Sequence, residues 1–111
     1  MDIVCDRIDD ALVVRVRETR IDAAIAIQFK DRMREVLQTP APRVVLDLAQ
    51  VDFLDSSGLG AVVAVRKLAG PDRSLELAGL SVSVDKVFRL TRMDRVFTIH
   101  PKAPDGGHHA G

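Results

Sequence analysis

The six-residue run "RVVLDL", residues 43–48, constrains the fold of this 111-residue chain more than any other segment, because aliphatic side chains occupy both of its faces. A strand with one wet face alternates apolar and polar residues, so a run apolar on both faces reads as a central strand covered on both sides. On either side of it the apolar spacing switches to three and four. Ala26, Phe29, Met33, Val36 and Leu37 recur this way within residues 22–38, and Leu59, Val62, Val63, Val65, Leu68 and Ala69 do so after the strand. These are stripes of amphipathic helices, and a strand set between two of them belongs to a mixed or mostly parallel sheet.

The remaining segments fit the same plan. "IVCDRI" at 3–8 and "ALVVRVR" at 11–17 are β-type runs separated by Asp9 and Asp10, a hairpin signal. In the second run Leu12, Val14 and Val16 share one face and Val13, Arg15 and Arg17 the other. Cys5, the only cysteine, reads as a small buried thiol in the first run. Asp22 is placed as N-cap or first-turn carboxylate of the first helix, which "TPAP" at 39–42 ends. The valines of the second helix also suit a strand, but its small-residue start and the stop at Gly70 favour helix. "SLELAGL" at 74–80 is a further strand. A third helix carries Val84, Val87, Phe88 and Leu90 with Ser81 or Ser83 as cap, and "RVFTIH" at 95–100 closes the domain as a strand. The expected order is β-β-α-β-α-β-α-β: one α/β domain over residues 1–100, a mixed sheet with helices packed on it, and a flexible tail at 101–111.

Sixteen basic and sixteen acidic residues give zero formal net charge, so no field is available to hold nucleic acid or an anionic membrane. With aromatics at 4% and neither Trp nor Tyr, stacking platforms for bases or sugars are scarce. No targeting segment and no membrane-length apolar run is evident, which reads as cytoplasmic. His108 and His109 are adjacent without thiol or carboxylate partners, so no metal site is assigned, and no cofactor is expected.

The residues with chemistry to explain are Asp55, Ser56 and Ser57 in "VDFLDSSGLG", residues 51–60. At a helix start any of the three could accept one of the unpartnered backbone amide hydrogens. A hydroxyl there is also suited to phosphorylation, since a dianion meets open amides and the positive end of the helix dipole. Gly58 and Gly60 would keep the surroundings low, so that a second protein's backbone could approach. A nucleophilic serine needs a base and an oxyanion hole. No Gly-x-Ser-x-Gly elbow is present, and His100 is the only histidine outside the tail. Asp47, Asp52 and Asp55 could form a metal-binding carboxylate set, but read more simply as strand-end, loop and cap residues.

Through "RVVLDLAQVDFLDSSGLGAVVAVRKL", the preceding "IDAAIAIQFKDRM" and the later "LELAGLSVSVDKVFRLTRMDRVFTI", the chain resembles the STAS domain. Within that family it is similar to the stand-alone anti-sigma-factor antagonists of bacterial partner-switching systems. The resemblance implies that the serine directly after the aspartate, here Ser56, is phosphorylated by an anti-sigma factor that is also a serine kinase of the GHKL ATPase type. The unphosphorylated antagonist would bind that kinase and release its target; phosphorylation would block binding until a serine phosphatase reversed it. Asp22, Asp55, Ser56, Ser57, Gly58 and Leu59 would form the partner surface, with Asp55 as cap and kinase contact and Ser57 as secondary cap. No enzymatic activity is implied, and a monomer is the plainer expectation. Two departures from the family pattern stand out. A Gly-Glu-Leu-Asp-like turn is replaced by Thr19, Arg20, Ile21 and Asp22, and the glycine near the end of the third helix is absent, with Met93 and Asp94 in that region. Two other readings compete: a STAS subunit docked to an ABC transporter ATPase or other membrane assembly, whose serines only cap, and a nucleotide-binding domain, for which no Gly-rich phosphate loop with a lysine is present.

Overall fold

The computed structural model describes residues 1–104. Its main sheet has five strands in the order β1-β2-β4-β6-β7: β1 Ile3–Ile8, β2 Ala11–Val16, β4 Arg43–Asp47, β6 Ser74–Ala78 and β7 Ile99–His100. β1 and β2 form the expected antiparallel hairpin, turning at Asp9, whose φ of 55° an aspartate tolerates better than most residues. All other pairings in this sheet are parallel. Three helices, α1 Ala26–Val36, α2 Ser56–Ala69 and α3 Val82–Leu90, supply the crossovers. Two further strands, β3 Arg20–Ile21 and β5 Phe53–Leu54, pair parallel in a separate two-stranded sheet. With two residues each they carry no periodicity, and the sequence does not announce them.

All three helices lie on one face of the main sheet. Phe29 and Met33 of α1, Val62 and Val65 of α2, and Val84 and Phe88 of α3 pack in one cluster with Leu12, Val14, Val44, Leu46, Leu75 and Leu77. Each such fully buried aliphatic or aromatic side chain contributes about 1.5–3 kcal/mol relative to exposure. The central strand β4 is covered on both sides, as its composition requires, but no helix covers the second side. There Ala11, Val13, Val45 and Ala78 form a small cluster against which Ala103, placed in the tail by the sequence pattern, also packs. Residues 105–111, with the His108–His109 pair to which the sequence assigns no metal, lie outside the described residues.

Three sequence expectations are corrected. Cys5 is exposed, because β1 is an edge strand. α1 begins at Ala26 rather than near Asp22, with Ile25 as N-cap and no side-chain cap. Asp22 instead organises the turn ahead of the helix: its carbonyl accepts from the amides of Ile25 and Ala26, and its carboxylate from that of Ala24 at 3.1 Å. "RVFTIH" is strand only at Ile99–His100, since Met93–Arg95 forms a 3₁₀ turn and Phe97 dives into the core, edge-on to Phe88 at 5.9 Å. The glycine missing after α3 also has a structural counterpart. Arg92 holds the left-handed conformation there (φ 64°, ψ 15°), at a cost of about 1 kcal/mol that glycine would not incur.

On the helix-free face Glu76 is buried and fully partnered. Arg43 donates to both its oxygens at 2.8 and 3.1 Å, Ser74 donates at 2.6 Å, and His100 Nε2 lies 2.7 Å away. The Arg43 hydrogen bonds outweigh burial and, with help from Ser74 and His100, hold the carboxyl down from 4.5 to about 2. A carboxylate with a depressed pKa adds stability that is complete above its unfolded value and lost as pH falls through the folded one. Glu76→Gln should therefore destabilise the fold by about 1–3 kcal/mol at neutral pH. In urea titrations across pH, the gap between wild type and variant should close between pH 4.5 and about 2; a gap independent of pH would contradict this account.

Candidate functional site

The residues singled out around Ser56 meet where α2 begins, beside the β3–β5 pair. Asp55 is the N-cap of α2, with extended backbone (φ −93°, ψ −173°), and its Oδ1 accepts from the Gly58 amide at 2.9 Å. Its Oδ2 accepts from the Ala23 amide at 3.3 Å, so one carboxylate joins the helix start to the loop after β3. Asp22, in that loop, is ion-paired to Arg20 at 3.3 Å. Asp22 and Asp55 thus lie on the two sides of a single junction.

Gly58 explains why the junction is tight. A Cβ there would lie 2.0 Å from the Ile21 carbonyl oxygen, so only glycine lets α2 press against the β3 backbone. The sequence places Gly58 on the partner-facing surface; in the fold it is buried against the Ile21 carbonyl. Gly60, by contrast, has open space around it. Leu59 is half-buried and packs partly against the core.

Ser56 and Ser57 are both exposed, and among the described residues neither hydroxyl makes a hydrogen bond. The cap is Asp55 alone; Ser57 does not take the secondary capping role. The amides of Ser56 and Ser57, in the first turn, have no backbone or side-chain acceptor among the described residues. A hydroxyl at this position is therefore free to be modified beside open N–H groups and the positive end of a helix dipole. His100 is engaged with Glu76 on the helix-free face. The three carboxylates considered as a metal set are apart in role: Asp47 accepts from Ala49 and faces Arg15, Asp52 is exposed, and Asp55 caps. Among the described residues no group of three or more His, Cys, Asp or Glu could hold a metal ion, and no helix is long and apolar enough to cross a membrane.

One residue absent from the sequence-based site, Phe53, belongs to this surface beside Arg20, which the sequence places in the turn before Asp22. Arg20 lies with its guanidinium 4.5 Å from the centroid of the Phe53 ring, across the register that pairs β3 with β5. Phe53 remains 41% exposed, and an exposed aromatic held by a cation is the kind of anchor that dominates protein interfaces. The available signal was an isolated phenylalanine in a chain with only four.

The chain belongs to the STAS domain family, whose model matches residues 2–105. Within it, the chain is 33% identical over 81 residues to a STAS-domain containing protein of Pseudomonas aeruginosa, covering 72% of this chain and 79% of that one. It is 29% identical over 100 residues to BtrV of Bordetella bronchiseptica, a protein provisionally named an anti-sigma factor antagonist, covering 89% and 85% of the two chains. The crystal structure of an anti-sigma factor antagonist from Mycobacterium paratuberculosis superposes with a TM-score of 0.81 at 25% identity, over 91% of this chain and 86% of that one.

The two glycines give a direct test of this geometry. Gly58→Ala should destabilise the protein by more than about 2 kcal/mol, because helix and β3 must separate. Gly60→Ala should be neutral or stabilising by up to about 1 kcal/mol through helix propensity. Thermal melting of the two variants checks both, and equal effects would contradict the close approach at Ile21.

Proposed function

We propose that this protein is an anti-sigma factor antagonist that works as a phosphorylation switch at Ser56. In its unphosphorylated form it binds an anti-sigma factor that is also a serine kinase of the GHKL ATPase type, and so releases that factor's target. Phosphorylation of Ser56 blocks the binding, and a serine phosphatase restores it. The observation that carries this reading is the division of labour at the start of α2: Asp55 caps the helix, which leaves the Ser56 hydroxyl exposed and without a structural task. The likeness to anti-sigma factor antagonists supports the partner class.

The physical consequences follow from charge and position. A phosphate adds about −1.5 to −2 charges. On this helix its oxygens meet the open amides of the first turn, which supports the folded state. At a docked interface the same charge must be desolvated beside Asp22 and Asp55, which opposes binding. Docking would place Phe53 and Arg20 with Asp22, Ser56, Ser57 and the exposed part of Leu59 under the partner, while Gly58 supports them from beneath.

Intact-mass analysis after incubation with ATP and a cognate GHKL-type kinase tests the assignment. Wild type and Ser57→Ala should each gain one phosphate, and Ser56→Ala none. Ser56→Asp should bind the kinase at least tenfold more weakly, about 1.4 kcal/mol, while Ser56→Ala melts within about 0.5 kcal/mol of wild type. Unmodified wild type with an active kinase, and equal binding by Ser56→Asp, would overturn the proposal.

A further inference from the structure

A second candidate contact lies at the other end of α2, where the sheet edge is incomplete. Ser74 donates to the Pro42 carbonyl and the Ala78 carbonyl accepts from Leu48, so residues 74, 76 and 78 of β6 face β4. Leu77 and Gly79 point outward and donate to the carbonyls of Thr98 and His100. Leu75 is in phase with them, but β7 begins at Ile99, opposite Leu77, and the chain before it turns away into the core. The N–H and C=O of Leu75 therefore have no backbone partner among the described residues.

Leu75 is itself only 5% exposed, and its unpaired backbone forms part of one wall of a groove of about 610 Å³, also lined by Arg66, Lys67, Arg73, Val96 and Thr98. The three cations are not neutralised: among the described residues no carboxylate lies within ion-pair distance of any of them. Arg73 is held in place by the carbonyls of Leu37 and Thr39, and Arg66 rests over the Phe97 ring at 6.0 Å. Glu76, the carboxylate in the lining, is committed to Arg43 and His100. In a chain of zero formal net charge, this gathers uncompensated positive charge beside an unpaired donor and acceptor.

We infer that the groove binds a short acidic segment of a partner protein in extended conformation, which adds a strand to β6 at Leu75 and sets carboxylates against Arg66, Lys67 and Arg73. A simple anion could satisfy the cations, but it has no donor for the Leu75 carbonyl, whereas an extended peptide offers a donor and an acceptor at the required spacing. A second copy pairing by this same edge would bring two sets of cations together. Charge thus selects an acidic partner over self-association. The groove lies about 16 Å from Ser56 along the helix at 1.5 Å per residue, so a partner could engage it whatever the state of the serine.

The test is a titration of the full, nitrogen-15-labelled chain with a blocked Glu-Val-Glu-Val-Glu peptide, followed by amide resonances and hydrogen exchange. The Leu75 amide should shift and its exchange should slow by about tenfold or more at saturation. The combined Arg66→Gln and Lys67→Gln variant should bind about tenfold more weakly with an unchanged amide spectrum elsewhere. The Lys-Val-Lys-Val-Lys peptide, and the glutamate peptide N-methylated at alternate residues, should not bind. No shift up to about 5 mM peptide, equal binding of the lysine or N-methylated peptide, shifts that bypass Leu75, or concentration-dependent pairing of the chain with itself at this edge would each overturn the inference. Both peptide controls use the unaltered protein, so they decide the matter even if the double variant is unstable.

Discussion

The arrangement depends on the carboxylate of Asp55. Its two oxygens accept from Gly58, three residues on in α2, and from Ala23, in the loop after β3. Without it the first turn of α2 would have to be capped by Ser56 or Ser57, and a serine that caps a helix cannot be altered without disturbing the fold. Because the aspartate takes that task, the hydroxyls stand outside the hydrogen-bond network. Gly58 completes the constraint by bringing the helix onto the Ile21 carbonyl, which ties α2 to the two-stranded β3–β5 sheet and brings Arg20, Asp22 and Phe53 to the serine.

Much of this was legible in the sequence where apolar periodicity was long enough to register. The hairpin, the central strand β4, the α2 start at Asp55 and the stop at Gly70 follow from local patterns whose physical causes act within a few residues. The failures share one cause, namely dependence on contacts distant in the chain. β3 and β5 exist because residues more than thirty positions apart pair, and a two-residue strand has no period to read. Gly58 looks like an exposed spacer until Ile21 is placed against it. Cys5 looks buried until β1 proves to be an edge. Phe97 looks like part of a strand until Phe88 draws it inward. The capping role expected of Asp22 shifted to a preceding turn, where its carbonyl and carboxylate both serve the backbone ahead of α1.

The fold also separates its duties in space. The helix-covered face carries the large apolar core, while the helix-free face is held by a small aliphatic cluster and the Arg43–Glu76–His100 network. The candidate switch sits at the N-terminal end of α2 and the basic groove at its C-terminal end. The helix Ser56–Ala69 runs between them and sets the two surfaces apart.

In the proposed switch, phosphate at Ser56 changes the surface and leaves the fold intact. The most direct measurement compares amide chemical shifts and thermal melting of the stoichiometrically phosphorylated and unphosphorylated protein. Large shifts confined to residues 20–24 and 53–60 are expected, with melting unchanged or raised. Shifts spreading through β2, β4 and β6, or a melting temperature that falls on phosphorylation, would contradict it.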